Sequence, residues 1–168
     1  MSDTAITTAT AQILMMLRHP QTRPVVQSFF DPTTFTASHV VYDPATKEAA
    51  VIDSVLDYDP ASGRTNYASA QQIVDYVKAQ DLHVVWQLET HAHADHLSAA
   101  PWLQEQLGGQ LGIGADIVRV QEVFGTIFNA GAEFSRDGSQ FNHLFRDDES
   151  FKLGTLDCVA LHVPGHTP

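Results

Sequence analysis

The sequence predicts a mixed α/β fold, and three observations support this prediction. Strand-like apolar runs fill the segment from Val25 to Asp53. Helix-patterned segments then alternate with further strand-like runs. The 168 residues are 43% hydrophobic and 17% charged, which is typical of one soluble globular domain. We therefore expect a domain over residues 25–168, preceded by an N-terminal arm of residues 1–24 that either stays loosely attached or forms a short self-associating helix.

The first part of the domain is predicted to be an antiparallel meander. Its three strands are expected within Val25–Phe30, Ser38–Tyr42 and Ala49–Asp53. The last two are separated by a polar segment with a proline, which is typical of a turn. The following segment, Asp57–Thr65, is rich in Asp, Pro and Gly, and we expect a solvated loop there.

Two helices are predicted on either side of the apolar run His83–Leu88. Ser69 is a candidate cap for a helix over 70–80, in which Ile73, Val74 and Val77 form an apolar stripe. Ser98 is a candidate cap for a second helix that ends at Gly108. Both helices are expected to pack against the sheet.

A third helix is predicted over 116–129, and a hairpin is predicted within 151–163. Alternation in that hairpin favours a core position for Cys158, the one cysteine of the chain, over a catalytic role. The apolar residues of the third helix, all expected to face the core, are Ile117, Val120, Val123, Phe124, Ile127 and Phe128.

The segment from Thr90 to His96, T-H-A-H-A-D-H, is the strongest candidate for chemistry. Three imidazoles and a carboxylate fall within six residues, directly after an apolar strand-like run. In an extended segment His91 and His93 would point to the same side, and His96 would follow at a turn. Packing three imidazoles without a metal would leave buried nitrogens unpaired, so the cluster predicts a metal site.

The string from His91 to His96 resembles the H-x-H-x-D-H signature of the metallo-β-lactamase superfamily. A second string, Pro164-Gly165-His166-Thr167-Pro168, resembles the next metal-ligand motif of that family. The resemblance implies an αββα sandwich, of which this chain would hold the N-terminal half to two-thirds. Within the superfamily the chain is most similar to bacterial persulfide dioxygenases, relatives of the glyoxalase II thioesterases. Further strings that carry this similarity are Phe29-Phe30-Asp31, Ala50-Val51-Ile52-Asp53 and Leu56-Asp57-Tyr58-Asp59-Pro60.

The resemblance implies two alternative ligand sets. In binuclear zinc relatives the first metal takes the residues matching His91, His93 and His166, and the second takes those matching Asp95 and His96. In persulfide dioxygenases a single Fe(II) is held by the matches of His91 and His166 and by a later aspartate. The resemblance also implies a catalytic role for Asp95. Asp53 would lie beneath the histidine loop and orient it.

Three functions follow as expectations from these ligand sets. The first is a non-haem iron dioxygenase that oxidises glutathione persulfide to sulfite and glutathione with O₂. The second is a hydrolase in which one or two zinc ions activate water against a glutathione thioester. The third is a non-catalytic metal-binding half-fold, because the chain ends two residues after His166. On that ground we expect residues 1–168 alone to show no dioxygenase activity.

Charge and composition exclude other classes of function. Twenty acidic and nine basic residues give a formal charge of −11, which opposes binding to nucleic acid or to an anionic membrane. The N-terminus lacks the basic flank of a secretion signal, so we expect a cytoplasmic protein. The expected partner is a small molecule, and a homo-oligomer is compatible with the sequence.

Overall fold

The computed structural model describes residues 10–11, 13–14, 23–131 and 133–167. Most of the predicted N-terminal arm lies outside these residues, and the described part of it includes the exposed helical side chains of Ile13 and Leu14. No helix within the described ranges is long and apolar enough to cross a membrane. The described strands are β1 (Val25–Asp31), β2 (Thr36–Tyr42), β3 (Glu48–Ile52), β4 (Val55–Asp59), β5 (Arg64–Asn66), β6 (His83–Leu88), β7 (Leu97–Ser98), β8 (Gln110–Gly114), β9 (His143–Phe145), β10 (Glu149–Leu153) and β11 (Leu156–Ala160).

Six of the described strands form the main sheet, in the order β1-β2-β3-β6-β8-β9. The first three pair antiparallel, which confirms the predicted meander. From β3 onward the neighbours pair parallel, because a helix or a long loop connects them. The carboxyl ends of β3, β6 and β8 therefore meet at one edge of the sheet.

Helices α1 (Ala68–Ala79) and α2 (Ala100–Leu107) cover one face of this sheet. In α1 the buried residues are spaced as predicted and include Ile73, which is 1% exposed. Against them pack alternate residues of β2, β3 and β6, since side chains on one face of a strand repeat every two residues. The resulting core contains Val40, Tyr42, Ala49, Val51, Ala70, Ile73, Val74, Val77, Val84, Ala99 and Leu103.

The predicted C-terminal hairpin is confirmed as β10 and β11. Its turn is held to the β2–β3 turn by Asp43, a buried carboxylate that accepts hydrogen bonds from the backbone N–H and the hydroxyl of Thr155, both at 2.7 Å. Gly154 occupies this turn at φ 61, and a side chain there would collide with Asp43 and Thr46. Trp86 of β6 donates its indole N–H to the carbonyl of Lys152 at 3.2 Å. These contacts fix the strand that leads to His166.

The predicted helix caps are wrong by one or two residues. Helix α1 begins at Ala68, so Ser69 lies inside its first turn, where its hydroxyl donates to Asp57 at 2.6 Å. Ser98 belongs to β7, and its hydroxyl accepts from the N–H of Ala100, the first residue of α2. In both cases a carboxylate outside the helix binds the serine, which sequence alone does not reveal.

The predicted solvated loop over Asp57–Thr65 is wrong in part: residues 58–65 are exposed as expected, but the segment is not a loop. Most of this segment forms β4, β5 and the turn between them, with Asp57 paired to Asn66. β4 in turn pairs with β7, the short strand that follows the histidine cluster. Strand pairing satisfies backbone N–H and C=O groups that we had expected to hydrogen-bond to water, on the basis of the composition of the segment.

Helix α3 (Ile117–Ile127) departs most from its predicted environment. Ile117 is buried as expected, but Ile127 and Phe128 are 66% and 74% exposed. Val123 and Phe124 are exposed as well. The apolar periodicity correctly indicated a helix, but periodicity cannot say whether another element covers the apolar face. Cys158 is half-buried rather than a core residue, and it lies on β11 of the two-stranded sheet.

Candidate metal centre

The candidate site lies where β3 and β6 end side by side. Ile52 and Leu88 are the last paired residues of these parallel strands. The next backbone N–H of the first strand, that of Asp53, donates to the carbonyl of Leu88 at 3.0 Å. On the other side the N–H of Glu89 donates to the carbonyl of Gly112 at 3.0 Å. Two carboxylates thereby stand at the base of the loop that carries the histidine cluster.

Asp53 holds the start of that loop. Its Oδ1 accepts the backbone N–H of Thr90 at 2.7 Å, and its Oδ2 accepts the hydroxyl of Thr90 at 2.7 Å. Asp53 has φ 51, a left-handed conformation that aspartate tolerates better than most residues. The hydroxyl of Ser38 donates to its carbonyl at 2.7 Å and holds this conformation.

Four imidazole rings follow one another across the site. The ring centroids of His166 and His91 are 4.8 Å apart, and the two rings are perpendicular, with an interplanar angle of 89°. His91 and His93 are 4.1 Å apart, and so are His93 and His96. His166 comes from the segment after β11, so the fold brings the two sequence motifs into one row.

The hydrogen bonds of each ring indicate which nitrogen remains for a metal. Thr90 donates its single hydroxyl proton to Asp53, so its oxygen accepts from Nδ1 of His91 at 2.9 Å. Nε2 of His91 is then the free nitrogen. In His93 the arrangement is reversed, because Nε2 lies 3.1 Å from Asp53 and 3.0 Å from Glu89. Nδ1 is therefore the nitrogen that His93 can offer.

His96 provides the observation that tests the fit of a metal. Its side chain is 1% exposed, and its Nε2 is buried without a hydrogen-bond partner in the described part of the chain. A buried nitrogen of this kind costs free energy unless something binds it. The donor atoms of His93, Asp95 and His96 lie within 4.8 Å of one another. Imidazole nitrogen and carboxylate oxygen are suitable ligands for zinc and for non-haem iron, so these residues fit a divalent metal ion.

The charges around His93 distinguish it from its neighbours. Burial disfavours its charged form, but the hydrogen bonds to Asp53 and Glu89 outweigh burial and raise the pKa of His93 to about 9. Burial lowers the pKa of His91, and the positive charge of His93 lowers it further. Burial alone would raise the pKa of Asp53, but the hydrogen bonds from His93 and Thr90 to its carboxylate outweigh burial and hold the pKa below its ordinary value. Metal binding at His93 would therefore displace a proton.

Asp95 and His166 are the solvent-facing members of the site. The side chain of Asp95 is 57% exposed, and its Oδ1 lies 3.4 Å from Nδ1 of His96. The hydrogen bond from its own backbone N–H lowers the pKa of Asp95, and the contact with His96 adds to this effect. His166 is exposed. These two residues form the solvent-facing side of the site.

The histidine cluster does not lie on the extended segment that we had expected. Residues 89–96 form an irregular loop between β6 and β7, and the loop rather than strand alternation brings the rings together. Sequence reasoning missed Glu89, a buried residue that binds His93 and accepts the hydroxyl of Ser98. The signal was present, since a carboxylate at the end of an apolar strand needs a partner.

The metallo-beta-lactamase superfamily profile matches residues 32–168. A probable metallo-hydrolase of Burkholderia pseudomallei is 54% identical over 143 residues, covering 85% of this chain and 49% of that protein. Glyoxylase B2 of Dictyostelium discoideum is 41% identical over 146 residues, covering 85% and 49%. The mitochondrial persulfide dioxygenase ETHE1 of Bos taurus is 26% identical over 144 residues, covering 86% and 45%. The chain spans about half the length of these curated relatives.

Solved structures show the same fold. ETHE1 from Myxococcus xanthus superposes with a TM-score of 0.56 at 23% identity, covering 79% of this chain and 45% of that one. A metallo-beta-lactamase from Staphylococcus aureus superposes with a TM-score of 0.62 at 19% identity, covering 88% and 37%. The predicted α/β fold class is thereby confirmed.

Proposed function

Because the chain belongs to the metallo-beta-lactamase superfamily, we propose that it carries the two-histidine part of an iron persulfide dioxygenase site. The proposed reaction converts glutathione persulfide, O₂ and water into glutathione and sulfite, with release of two protons. The outer sulfur of the persulfide gives up four electrons, and O₂ accepts them. The observation that carries the proposal is the perpendicular pair of rings of His91 and His166.

These two histidines would hold the iron, and a carboxylate would complete the set. In the family pattern that carboxylate is an aspartate that follows the G-H-T motif. Two histidines and one carboxylate leave coordination positions open, which suits a reaction between two bound substrates. Bound iron supplies the ability to pass electrons from sulfur to O₂.

Residues around the histidines keep the site in order. Asp53 and Thr90 fix the ring of His91 through Nδ1, so its Nε2 stays free. Glu89 connects the ring of His93 to Ser98 and hence to the start of α2. Such supporting bonds orient ligands and keep the site assembled between turnovers.

Similarity to named relatives adds support. The region similar to bovine persulfide dioxygenase covers 86% of this chain. The strings Phe29-Phe30-Asp31 and Leu56-Asp57-Tyr58-Asp59-Pro60, which resemble those enzymes, lie outside the metal motifs. The similarity to persulfide dioxygenases is therefore not confined to residues that every metal-dependent member of the superfamily needs.

One observation favours a second candidate, a binuclear zinc hydrolase acting on a glutathione thioester. The unpartnered Nε2 of His96 and the nearby carboxylate of Asp95 are the donors that a second metal ion would use. Relatives at higher identity are named as a probable metallo-hydrolase and as a glyoxylase. In this scheme His96 and Asp95 would help to hold the second metal ion, the metal pair would supply the activation of water needed for thioester hydrolysis, and Asp95 would position that water.

The two candidates can be separated in a chimera. The 143 aligned residues of the Burkholderia relative would be replaced by the matching residues of this chain. The Burkholderia protein would supply the rest of the fold. The chimera and the 168-residue chain would each be loaded with Fe(II) or Zn(II) and assayed for oxygen uptake with glutathione persulfide and for hydrolysis of S-lactoylglutathione.

Each outcome decides between the proposals. Oxygen uptake by the iron-loaded chimera, with one iron per chain and sulfite as product, supports the dioxygenase. Thioester hydrolysis with two zinc ions and no oxygen uptake overturns it in favour of the hydrolase. Metal binding without either activity overturns both and leaves a metal-binding domain. The unmodified Burkholderia protein is the control for the assay.

A further inference from the structure

The turn between β1 and β2 contains a hydrogen-bonded carboxylate that the proposed reaction does not use. Asp31 is 9% exposed, and its two oxygens accept the backbone N–H groups of Thr33 and Thr34 at 3.1 and 3.0 Å. Its Oδ2 also accepts the hydroxyl of Thr34 at 2.6 Å. Asp31 is part of the string that resembles persulfide dioxygenases, but its position far before the histidine motif gave it no role.

Two threonines connect this carboxylate to the candidate metal centre. The hydroxyl oxygens of Thr34 and Thr36 are 2.9 Å apart. The hydroxyl oxygen of Thr36 lies 3.3 Å from Nδ1 of His96. The series Asp31, Thr34, Thr36 and His96, which we call the turn relay, is therefore continuous from the turn to the buried imidazole.

Each threonine hydroxyl has one proton, and this determines the donor and the acceptor in every hydrogen bond of the turn relay. Burial raises the pKa of Asp31, but the donors from Thr33 and Thr34 outweigh it and hold the pKa below its ordinary value, so Asp31 is a carboxylate that can only accept. Thr34 has one hydroxyl proton and gives it to Asp31. In the contact between the two hydroxyls Thr36 must then be the donor. Having given its proton away, Thr36 can only accept from His96.

His96 consequently carries its proton on Nδ1. The other neighbour of that nitrogen is Asp95, whose Oδ1 lies at 3.4 Å and is also an acceptor. Nε2 is left with a free electron pair in a buried position without a hydrogen-bond partner among the described residues. An imidazole needs such a free pair to bind a metal ion.

We propose that Asp31, Thr34 and Thr36 act as positioning residues that set the tautomer of His96 and so present its Nε2 as a metal ligand. The turn relay would act on the ligand without touching metal or substrate. This inference rests on the second metal position of the binuclear candidate, which His96 and Asp95 would supply, and not on the single-iron scheme, in which His96 is not a ligand.

The variant Thr34→Val distinguishes an effect passed along the turn relay from the loss of a direct contact with His96, because Thr34 does not touch His96. Valine keeps the shape of threonine but cannot accept from Thr36. The hydroxyl of Thr36 then becomes free to donate to Nδ1 of His96, which moves the imidazole proton to Nε2. Thr34→Ser retains the hydroxyl and should restore the original tautomer. Thr33→Val is the matched control, since it makes the same change one residue away in the same turn, at a side chain that also hydrogen-bonds to Asp31 but is not a member of the turn relay.

The first measurement is the tautomer of His96 in the metal-free 168-residue chain. Long-range ¹H–¹⁵N correlation spectra distinguish the protonated from the free nitrogen, and a His96→Gln variant assigns the signals. The spectra are recorded at about pH 8, above the ordinary histidine pKa. We expect protonated Nδ1 in the unmodified chain, in T33V and in T34S, and a shift toward protonated Nε2 in T34V.

The second measurement is the affinity for Zn²⁺, by competition with a chelator. We expect T34V to bind zinc about 10-fold more weakly, while T34S and T33V bind like the unmodified chain. A tautomer that is the same in T34V and the unmodified chain would overturn the turn relay, as would unchanged zinc affinity. Because neither measurement uses turnover, a failure of the dioxygenase proposal in the chimera would leave these results intact.

Discussion

The rings of His91 and His166 stand perpendicular to each other at 4.8 Å, although they come from two motifs far apart in the sequence. One ring is carried by the loop after β6 and the other by the segment after β11. The β10–β11 hairpin reaches this position because its turn is bound to Asp43 and its strand to Trp86. A metal ion held by both rings would therefore connect two parts of the fold.

Replacing His91 by alanine should remove most of the bound metal. A chelate loses affinity steeply when one of its few nitrogen ligands is deleted, and the remaining ring of His166 is exposed. The measurement is the metal-to-protein ratio after loading with Fe(II) or Zn(II) and desalting. His83→Ala is the control, because His83 is an exposed residue of β6. Equal metal content in H91A and H83A would show that His91 is not a ligand.

Replacing Asp53 by asparagine should weaken metal binding by about 10- to 100-fold, which is the usual effect of losing a residue that orients a ligand. Asparagine keeps the shape and tolerates the positive φ, but its amide offers one acceptor oxygen where Thr90 and His93 need two. Chelator competition measures the affinity, and circular dichroism checks the fold. Asp81→Asn is the matched control, since Asp81 is exposed and has φ 53. If both variants bind zinc equally, Asp53 has no part in the site.

Asp43→Asn should lower the free energy of unfolding at neutral pH by about 1–3 kcal/mol, because the buried acceptor for Thr155 is lost. Burial alone would raise the pKa of Asp43, but its hydrogen bonds from Thr155, Ala45 and Thr46 hold the pKa below its ordinary value. Because the pKa of Asp43 is lowered in the folded state, its carboxylate stabilises the folded protein at pH values above the ordinary pKa. This stabilisation is lost as the pH falls through the pKa of the folded state.

The difference in unfolding free energy between the unmodified chain and D43N should therefore shrink on acidification. Urea denaturation at neutral pH and at about pH 3 measures it. Asp75→Asn, at an exposed position of α1, is the control for a general effect of charge. A difference that stays constant over this pH range would mean that the carboxylate of Asp43 is not what holds the hairpin turn.

Ile73→Ala and Ile127→Ala should differ sharply although the chemical change is the same. Ile73 is 1% exposed in the core, so its truncation should cost about 2–5 kcal/mol of unfolding free energy. Ile127 is 66% exposed on α3, and its truncation should cost far less. Urea denaturation of both variants checks this. A large loss in I127A would show that the apolar face of α3 is covered in solution.

The sequence by itself determined the family and the identity of the candidate metal-binding motifs. The spacing of His91, His93, Asp95 and His96 and the later G-H-T string are local patterns, and local patterns are read directly from the chain. Strands and helices were predicted largely correctly for the same reason, since periodicities of two and 3.6 residues depend only on neighbours in sequence.

Only the tertiary structure decided which nitrogen His91, His93 and His96 present and what supports these rings. Glu89 and the turn relay reach their partners through space, and Thr36 and His96 are 60 residues apart. The exposure of α3 is likewise a property of what packs against it. A hydrogen bond between distant residues depends on strand register and loop paths, and a periodic pattern of apolar residues holds no information about either.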